Sequence, residues 1–183
     1  MATSKYNEEE VLRRLQDPKS QHRAFEEIVN HYGQPLYWQI RRIVVDHDDA
    51  DDVLQNTFIK AWTNITTFRG DSKLSTWLYK IAYNESITFL NHKREQLSLD
   101  DVGSMVAETL ESDPYFDGDN TQIMLQEAIA SLPDKQKAVF NMKYFDNMKY
   151  EDMSKITGTS VGALKASYHL AVKKIEDFFN KRD

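Results

Sequence analysis

The chain of 183 residues contains no cysteine, and this absence excludes both a disulfide framework and a thiolate metal site. Its glycines (six) and prolines (four) are few, which favours helices throughout. Long apolar runs are also missing, and the first ten residues lack the basic start and apolar core of a signal peptide. These absences predict a soluble, mostly helical protein of the cytoplasm.

The net charge of −6 comes from one segment of the chain. Residues 96–120 hold seven acidic side chains and no basic one. Residues 1–95 carry 13 basic and 14 acidic side chains, and residues 121–183 carry ten and eight. The overall acidity therefore does not exclude nucleic acid as a partner of the two flanking parts.

The acidic segment also marks the predicted domain boundary. Helical periodicity fades within it, and turn-forming residues gather in the run SDPYFDGDN at its end. We predict an all-α protein in which two small helical domains, residues 1–95 and residues 121–183, are joined by an acidic linker over residues 96–120. On composition alone this linker is typical of a solvated tether.

Capping residues and apolar spacing predict the individual helices. Asn7 and Ser20 are predicted to cap the first and second helices, Gly33 to end the second, and Pro35 to begin the third. The other predicted helices cover residues 48–62, about 72–94, the stretch before Pro133, residues 134–145, and the pair described next.

Residues 150–174 read YEDMSKITGTSVGALKASYHLAVKK, which is the pattern of a helix-turn-helix. Gly158 suits a left-handed helix end, and Ser160 suits the cap of the next helix. The outward face of that helix carries small residues and lysines without any acid, so it can approach a phosphate backbone. Helix pairs joined by a glycine turn also occur in many all-helical proteins, so this motif alone leaves DNA binding undecided.

The fourth predicted helix combines a core stripe with an unusual polar face. Its apolar side follows helical spacing from Ala50 to Trp62. The opposite side carries Asp52, Gln55, Asn56 and Ile59. An isoleucine among polar side chains suits the seat of a partner helix, although one exposed isoleucine is also ordinary in a folded domain.

The run DHDDADD at residues 46–52 suggests a metal site as an alternative, because paired His and Asp residues bind metals in phosphohydrolases. The other histidines show no supporting pattern, and the run lacks the glycine turn and terminal Glu of a calcium loop. Helix capping and the helix dipole explain its carboxylates adequately. We therefore expect no metal and no other cofactor.

The fifth predicted helix and the turn before it interleave basic with aromatic residues. Over residues 67–94, five basic side chains stand against two acidic ones. Such a surface suits single-stranded nucleic acid, because cations contact phosphates and aromatic faces stack on bases. The turn FRGDSK can shape a pocket for an unstacked base. The alternative is that Trp77 and Tyr83 belong to the core.

Three segments occur here in one order: DDADDVLQNTFIKAW, TFRGDSKLSTWLYKIAYN and LPDKQKAVFNMKYFDNMKYEDMSKITGTSVGALKASYHLAVKKI. They closely resemble extracytoplasmic-function (ECF) sigma factors of bacterial RNA polymerase, over roughly residues 23–175. The resemblance implies a non-enzymatic subunit that binds core polymerase and directs it to promoters. It would recognise the −35 element as duplex and would melt and capture the −10 element.

The resemblance also implies a partner for each surface. The clamp helices of the largest core-polymerase subunit would bind Asp52, Gln55, Asn56 and Ile59. The −10 element would contact Arg69, Lys73, Ser75, Thr76, Trp77, Lys80 and Asn84. The −35 element would contact Ser160, Ala163, Lys165, Ala166, Ser167, His169 and Lys173. The acidic linker resembles the family segment that threads toward the active-site and RNA-exit channel. An anti-sigma factor, often membrane-bound in this family, is a further implied partner, and no small-molecule substrate is implied.

The last helix departs from the family pattern at two positions. Ser167 and Leu170 stand where the family usually has arginine, a strong ligand of guanine and phosphate. We therefore expect a weaker electrostatic hold on the −35 element, or readout through Lys165 and its neighbours on that face. Tyr168 stands where leucine is usual, and we predict that it lies in the core.

Two other functions remain open from the sequence. A helix-turn-helix regulator that does not bind core polymerase would use the C-terminal motif, but it leaves the Ile59 and Trp77 faces unexplained. A metal-dependent hydrolase built on residues 46–52 leaves the C-terminal half unexplained. The sequence also does not decide whether the two predicted domains pack on each other.

Overall fold

The computed structural model describes residues 5–96 and 119–182, which form eight α-helices, one 3₁₀ turn and no strand. The N-terminal helices are α1 Glu8–Leu15, α2 Gln21–Val44, α3 His47–Asn64 and α4 Leu74–Gln96, with the 3₁₀ turn at Ile65–Thr67. The C-terminal helices are α5 Asn120–Ala130, α6 Asp134–Tyr144, α7 Tyr150–Thr157 and α8 Val161–Asn180. The predicted all-α class is confirmed. Most of the predicted linker, residues 97–118, lies outside the described residues.

Side chains cap helices at most of the places that the sequence predicted. Asn7 Oδ1 accepts a hydrogen bond from a backbone N–H of the first turn of α1 (3.2 Å), and Ser160 Oγ does the same for α8 (3.2 Å). Ser20 is an exception, because its hydroxyl donates to the carbonyl oxygen of Arg14 (2.9 Å) and does not cap α2.

The prediction of two helices separated at Gly33 is wrong, because α2 continues through Gly33 and Pro35. The proline removes one helical hydrogen bond. Against that loss, Ile28, Leu36 and Ile40 lie on one side of the same helix and are fully buried. Continuous burial of this stripe outweighs the local signals that favour a break.

The helices α1 to α4 pack around the N-terminal core. Its largest fully buried side chains are Ile28, Leu36, Ile40, Leu74 and Leu78. Ion pairs between Lys93 and Asp49 (2.5 Å) and between Lys60 and Glu85 join α3 to α4. These contacts hold α3 and α4 side by side, so the outer faces of both helices belong to the same packed unit.

A second apolar cluster lies between α5, α6 and α8 and includes Ile129, Phe140 and Ile175. A third cluster joins the two halves of the chain, and we call it the seam; it consists of Ile43, Tyr83, Ala138, Val139, Met142, Met153, Ile156 and Leu164. The N-terminal unit (residues 5–96) and the C-terminal unit (residues 119–182) therefore pack on each other, which the sequence left undecided.

Candidate partner and nucleic-acid interfaces

The outer face of α3 presents the residues that were predicted to bind a partner. Val53, Thr57 and Ala61 are buried and fix the inner face of the helix. All four predicted contact residues are exposed on the outer face: Asp52, Gln55, Asn56 and Ile59. The Ile59 side chain is 57% exposed, more than any other large apolar side chain in the described residues. The face is therefore free to contact another protein.

Trp62 does not complete the core stripe of α3 as predicted. Its indole is 39% exposed and packs edge-on against the rings of Phe25 (centroids 5.1 Å apart) and His22 (5.8 Å). Both partners lie in the first two turns of α2. The core stripe of α3 therefore ends at Ala61.

The helix α4 and the turn before it carry the residues predicted to bind single-stranded DNA. The exposed ones are Arg69, Lys73, Lys80 and Asn84, and the half-buried ones are Ser75 and Trp77. Thr76 is the exception, because it is only 7% exposed and shares the helical side of the buried Tyr83. We assign Thr76 to the interior. The Trp77 ring lies 5.3 Å from that of Phe68, which holds the indole against the turn.

Besides the side that lies in the N-terminal core, α4 has a second buried side that faces the C-terminal unit. Tyr83 is 7% exposed and belongs to the seam, so the interpretation that placed it in the core is correct. Burial, together with nearby Asp134, raises the pKa of its hydroxyl above the usual range. Burial and Asp146 raise the pKa of Tyr79 in the same way. One side of α4 thus faces solvent, and another faces the second unit.

A cavity of about 510 Å³ opens beside the FRGDSK turn. Phe68, Arg69 and Gly70 form one wall, and Gly70 has a φ of 77°, which favours glycine there. The other wall consists of Leu12, Leu15, Gln16, Pro18, Gln21, Ile65 and Thr66. Apolar walls with amides and a guanidinium suit a flat heteroaromatic group. The sequence predicted a pocket at this turn. It did not predict that α1 forms part of the other wall, because the α1 residues lie about fifty positions earlier in the chain.

The helices α7 and α8 form the predicted helix-turn-helix. Gly158 ends α7 in the left-handed conformation with a φ of 71°, and buried Met153 and Leu164 hold the two helices to the seam. Ser167 is half-buried. The other six residues predicted to contact the −35 element are exposed: Ser160, Ala163, Lys165, Ala166, His169 and Lys173.

Three further side chains define the surroundings of that face. Lys165 Nζ lies 5.7 Å from the ring centroid of Tyr150, a distance typical of a cation–π contact. Tyr168 stacks on Phe140 (5.8 Å) and is partly buried, in agreement with its predicted place in the core. Burial raises the pKa of its hydroxyl. Leu170, by contrast, is 48% exposed.

The seam has a polar border between α2 and α6 that the sequence analysis missed. Asn141 Nδ2 donates to the carbonyl oxygen of Arg42 (3.1 Å), and Arg42 Nη1 donates to Asp146 Oδ1 (2.9 Å). Burial raises the pKa of the Asp146 carboxyl, although Arg42 opposes this change. The partners lie about a hundred residues apart in the chain, so no local pattern reveals them.

A second polar contact lies between α4 and α6. Arg94 Nη2 is 2.5 Å from Asp134 Oδ1, and Lys137 Nζ is 3.9 Å from the same oxygen. Neither contact has the geometry of a hydrogen bond to that oxygen. Lys137 is only 5% exposed, and burial lowers the pKa of its ammonium group, while Asp134 opposes this change.

The described residues give no support to a metal site. No three His, Asp or Glu side chains in residues 5–96 and 119–182 are grouped to hold a metal ion. Within the DHDDADD run, Asp46 Oδ1 caps α3 through the N–H of Asp49 (3.0 Å), and the His47 ring shares a hydrogen bond with the Tyr37 hydroxyl (2.5 Å). Helices of the described ranges are also too short or too polar to cross a membrane.

Two family models match the chain in separate ranges. The model described as Sigma-70 region 2 matches residues 28–96, which contain the α3 and α4 faces. The model described as Sigma-70, region 4 matches residues 122–175, which contain the helix-turn-helix.

Individual proteins show the same likeness. The chain is 32% identical to the ECF RNA polymerase sigma factor SigW of Bacillus subtilis, over 80% of this chain and 83% of the relative. It is 28% identical to the RNA polymerase sigma-H factor of Pseudomonas aeruginosa, over 92% of each. Its fold is similar to that of the sigma factor RpoE in a complex with the anti-sigma factor NepR from Bartonella quintana, with a TM-score of 0.69 and 22% identity, covering 85% of this chain and 96% of that one. CnrH in complex with the cytosolic domain of CnrY gives the same TM-score at 19% identity, with 94% and 96% covered.

Proposed function

Since the chain belongs to the ECF family of bacterial sigma factors, we propose that its exposed faces divide the work of promoter recognition among them. As a sigma factor, the protein binds core RNA polymerase and directs it to specific promoters, where transcription begins. The observation that supports the division is exposure. Each matched sigma-70 region leaves most of its predicted contact residues at the surface, although Thr76 is buried and Ser167 is half-buried.

We assign the outer face of α3 to core polymerase. Ile59 supplies an apolar anchor, and Asp52, Gln55 and Asn56 surround it with groups that can form hydrogen bonds. An apolar centre within a polar rim is the usual arrangement of a protein–protein contact. The ion pairs between α3 and α4 orient this face relative to the proposed DNA-binding side of α4.

Replacing Ile59 with aspartate tests this assignment. We expect Ile59→Asp to weaken binding of core polymerase by at least about thirtyfold, because it places a charge at the proposed anchor of the contact. Gln34→Asp adds the same charge at an exposed position of α2 and should leave binding unchanged. Titration of labelled core polymerase measures both. Equal affinities of the two variants would remove α3 from the contact.

We assign the solvent side of α4 and the FRGDSK turn to the −10 element. Arg69, Lys73 and Lys80 would contact phosphates of the separated strand, and the Trp77 ring would stack on a base. The Asn84 amide can form hydrogen bonds to a base edge. The 510 Å³ cavity beside the turn is large enough for one extruded base.

We assign the exposed face of α8 to the −35 element as duplex. A helix of this kind enters the major groove, where its side chains contact base edges and phosphates. Lys165 is the residue that we expect to contribute most, because it is an exposed cation in the second turn of the helix.

The two DNA faces cannot reach both elements while the seam is closed. The −35 and −10 elements lie about 25 base pairs apart, which is about 85 Å of straight duplex. A compact body of this length has a radius of gyration of about 16 Å and is about 40 Å across. Residues 97–118 provide enough chain to span up to about 75 Å. Binding of both elements therefore requires the N-terminal and C-terminal units to separate.

An anti-sigma factor is the further partner that we infer. RpoE, whose fold this chain shares, is known in a complex with the anti-sigma factor NepR. Such a protein would hold the sigma factor inactive by covering its polymerase-binding faces. Promoter recognition by these faces needs binding but no bond-making group, so we propose a non-enzymatic protein that acts on promoters in the cytoplasm.

Reconstitution with core polymerase tests the whole proposal. We expect the full chain to bind core polymerase and to start transcription at defined sites in a library of genomic fragments. Lys165→Ala should weaken promoter use by about tenfold and leave core binding intact, because it removes one DNA contact. Equal loss of both activities would refute the division of faces. Absence of core binding by the unchanged protein would instead favour a regulator that uses the helix-turn-helix alone.

A further inference from the structure

Leu170 is an unusual residue on α8. Its side chain is 48% exposed, whereas Leu164 and Ile175 of the same helix are buried. Among large aliphatic side chains of the described residues, the other one that is clearly exposed is Ile59, on the face assigned to core polymerase. A single exposed leucine needs no explanation by itself. The position of this one, on the face that we assign to duplex DNA, gives it a role.

The neighbours of Leu170 favour approach to DNA. Ala166 lies one turn earlier on the same side and presents only a methyl group, so it does not keep the backbone away from a surface. His169 and Lys173 flank the leucine and are exposed. No acidic residue occurs from Ser160 to Lys174, so nothing on this stretch repels phosphate.

The chemistry of a leucine restricts what it can recognise in the major groove. Guanine, adenine and cytosine present hydrogen-bonding groups there, and a leucine would remove water from these groups without replacing the hydrogen bonds. Thymine also presents its C5-methyl group, which is apolar. The same stretch of α8 has no arginine, the residue that pairs best with guanine.

We propose that Leu170 is a specificity-determining residue that contacts the C5-methyl group of a thymine in the −35 element. This proposal rests on the assignment of α8 to that element. It predicts that a thymine is required at one position of the element because of its methyl group, not because of its hydrogen-bonding pattern.

Deoxyuridine provides the test, because it pairs as thymine does and lacks only the methyl group. Holoenzyme reconstituted from core polymerase and the full chain is first used to select active −35 sequences from a randomised block upstream of a fixed −10 element. Each thymine of the selected duplex is then replaced in turn by deoxyuridine. We expect one replacement to weaken binding by about fourfold, the effect of losing one buried methyl-sized group.

The variant Leu170→Ala identifies the side chain responsible. It should bind the thymine duplex about fourfold more weakly than the unchanged protein and should no longer distinguish thymine from deoxyuridine at that position. Leu170 is exposed, so its truncation leaves the core intact. Lys165→Ala is the matched control; it should weaken both duplexes equally and keep the fourfold ratio.

Two results would overturn the proposal. One is a holoenzyme that is insensitive to deoxyuridine at every position, and the other is a Leu170→Ala variant that keeps the full sensitivity. Either result leaves the sigma-factor function standing, provided that the selection yields a −35 sequence. If the selection yields none although core polymerase is bound, the assignment of α8 fails and this proposal fails with it.

Discussion

The N-terminal core and the seam are both buried, but they differ in what they bury. The core consists mainly of aliphatic side chains, and two buried polar side chains of its helices, Thr57 and Ser86, each donate a hydrogen bond to a carbonyl oxygen one turn earlier (2.8 Å). The buried Gln39 amide of α2 is an exception, because it has no hydrogen bond in the described residues. The seam is bordered by Asp134 and Asn141, each of which has a buried oxygen without a hydrogen bond in the described residues, and by the ammonium group of Lys137.

Because the border of the seam buries the charged side chains of Lys137 and Asp134, we infer that the seam, and not the core, is the contact that opens. Burial of apolar groups, and of polar groups that form hydrogen bonds, stabilises the folded state. Burial of charges and of polar atoms without hydrogen bonds costs free energy, which is regained when water hydrates them. Opening the seam would hydrate Lys137 and Asp134, so it is opposed less strongly than unfolding of the core. The proposed division of faces, which places two DNA contacts about 85 Å apart, would require the seam to open.

Truncation of the core should have the largest effect. We expect Leu36→Ala to lower the free energy of unfolding of the N-terminal unit by about 3 kcal/mol, because the side chain is fully buried and a cavity would remain. Chemical denaturation followed by circular dichroism measures the change. Ile59→Ala, at an exposed position, should change it by less than about 0.5 kcal/mol. A loss below about 1 kcal/mol for Leu36→Ala would contradict the view of a tightly packed core.

The comparison also shows how far the sequence could predict the structure. Most signals that act within one turn were reliable: Asn7 and Ser160 cap helices and Gly158 ends one, whereas Ser20 does not cap α2. The apolar stripe of α3 also predicted which residues face outward, because the side of a helix opposite its buried face is exposed. The local signals failed at Gly33 and Pro35, where burial of neighbouring side chains keeps α2 continuous.

The seam could not be predicted from the sequence for a different reason. Its contacts join residues far apart in the chain, such as Arg42 and Asp146. A helix such as α4 has more than one side that could be buried, and the position of the second unit decides which one is. Tyr83 lies inside for this reason. Thr76 is buried as well, although the sequence placed it among the DNA contacts.

Removal of the Asp134 carboxylate should open the seam without unfolding the units. In Asp134→Ala, Lys137 would be buried without its counter-charge. We expect the free energy of closing the seam to become less favourable by about 2 kcal/mol, because an unpaired buried charge is unfavourable. The chain has no cysteine, so fluorophores can be placed on cysteines introduced at exposed Gln34 and Glu176. Energy transfer between them should fall, while helical content should stay unchanged.

Two control variants separate charge from packing at this site. Arg94→Ala removes a partner that is half-exposed, so it should weaken closure by only about 0.5 kcal/mol. Adding Lys137→Met to Asp134→Ala removes the unpaired charge and should restore the closed distance. If the double variant stays as open as Asp134→Ala, the charge of Lys137 is not what opens the seam.

A further small effect is a pH dependence from Asp146. The closed seam raises the pKa of this carboxyl above its ordinary value of 3.8, because burial outweighs the opposing charge of Arg42. At pH values between the ordinary pKa and the raised pKa, the closed state binds more protons than the open state. Closure therefore becomes more favourable as pH falls through this window and less favourable as pH rises through it.

The variant Asp146→Asn isolates that contribution from the other carboxyl groups. The hydroxyl of neighbouring Tyr79, whose pKa is raised by burial, stays protonated throughout this window. The energy-transfer pair should therefore show a pH dependence of closure that is weaker in the variant, by less than about 1 kcal/mol, since the Asp146 side chain keeps 26% exposure. Identical pH profiles would mean that Asp146 is as well hydrated in the closed state as in the open one. The seam would then owe its reversibility to Lys137 and Asp134 alone.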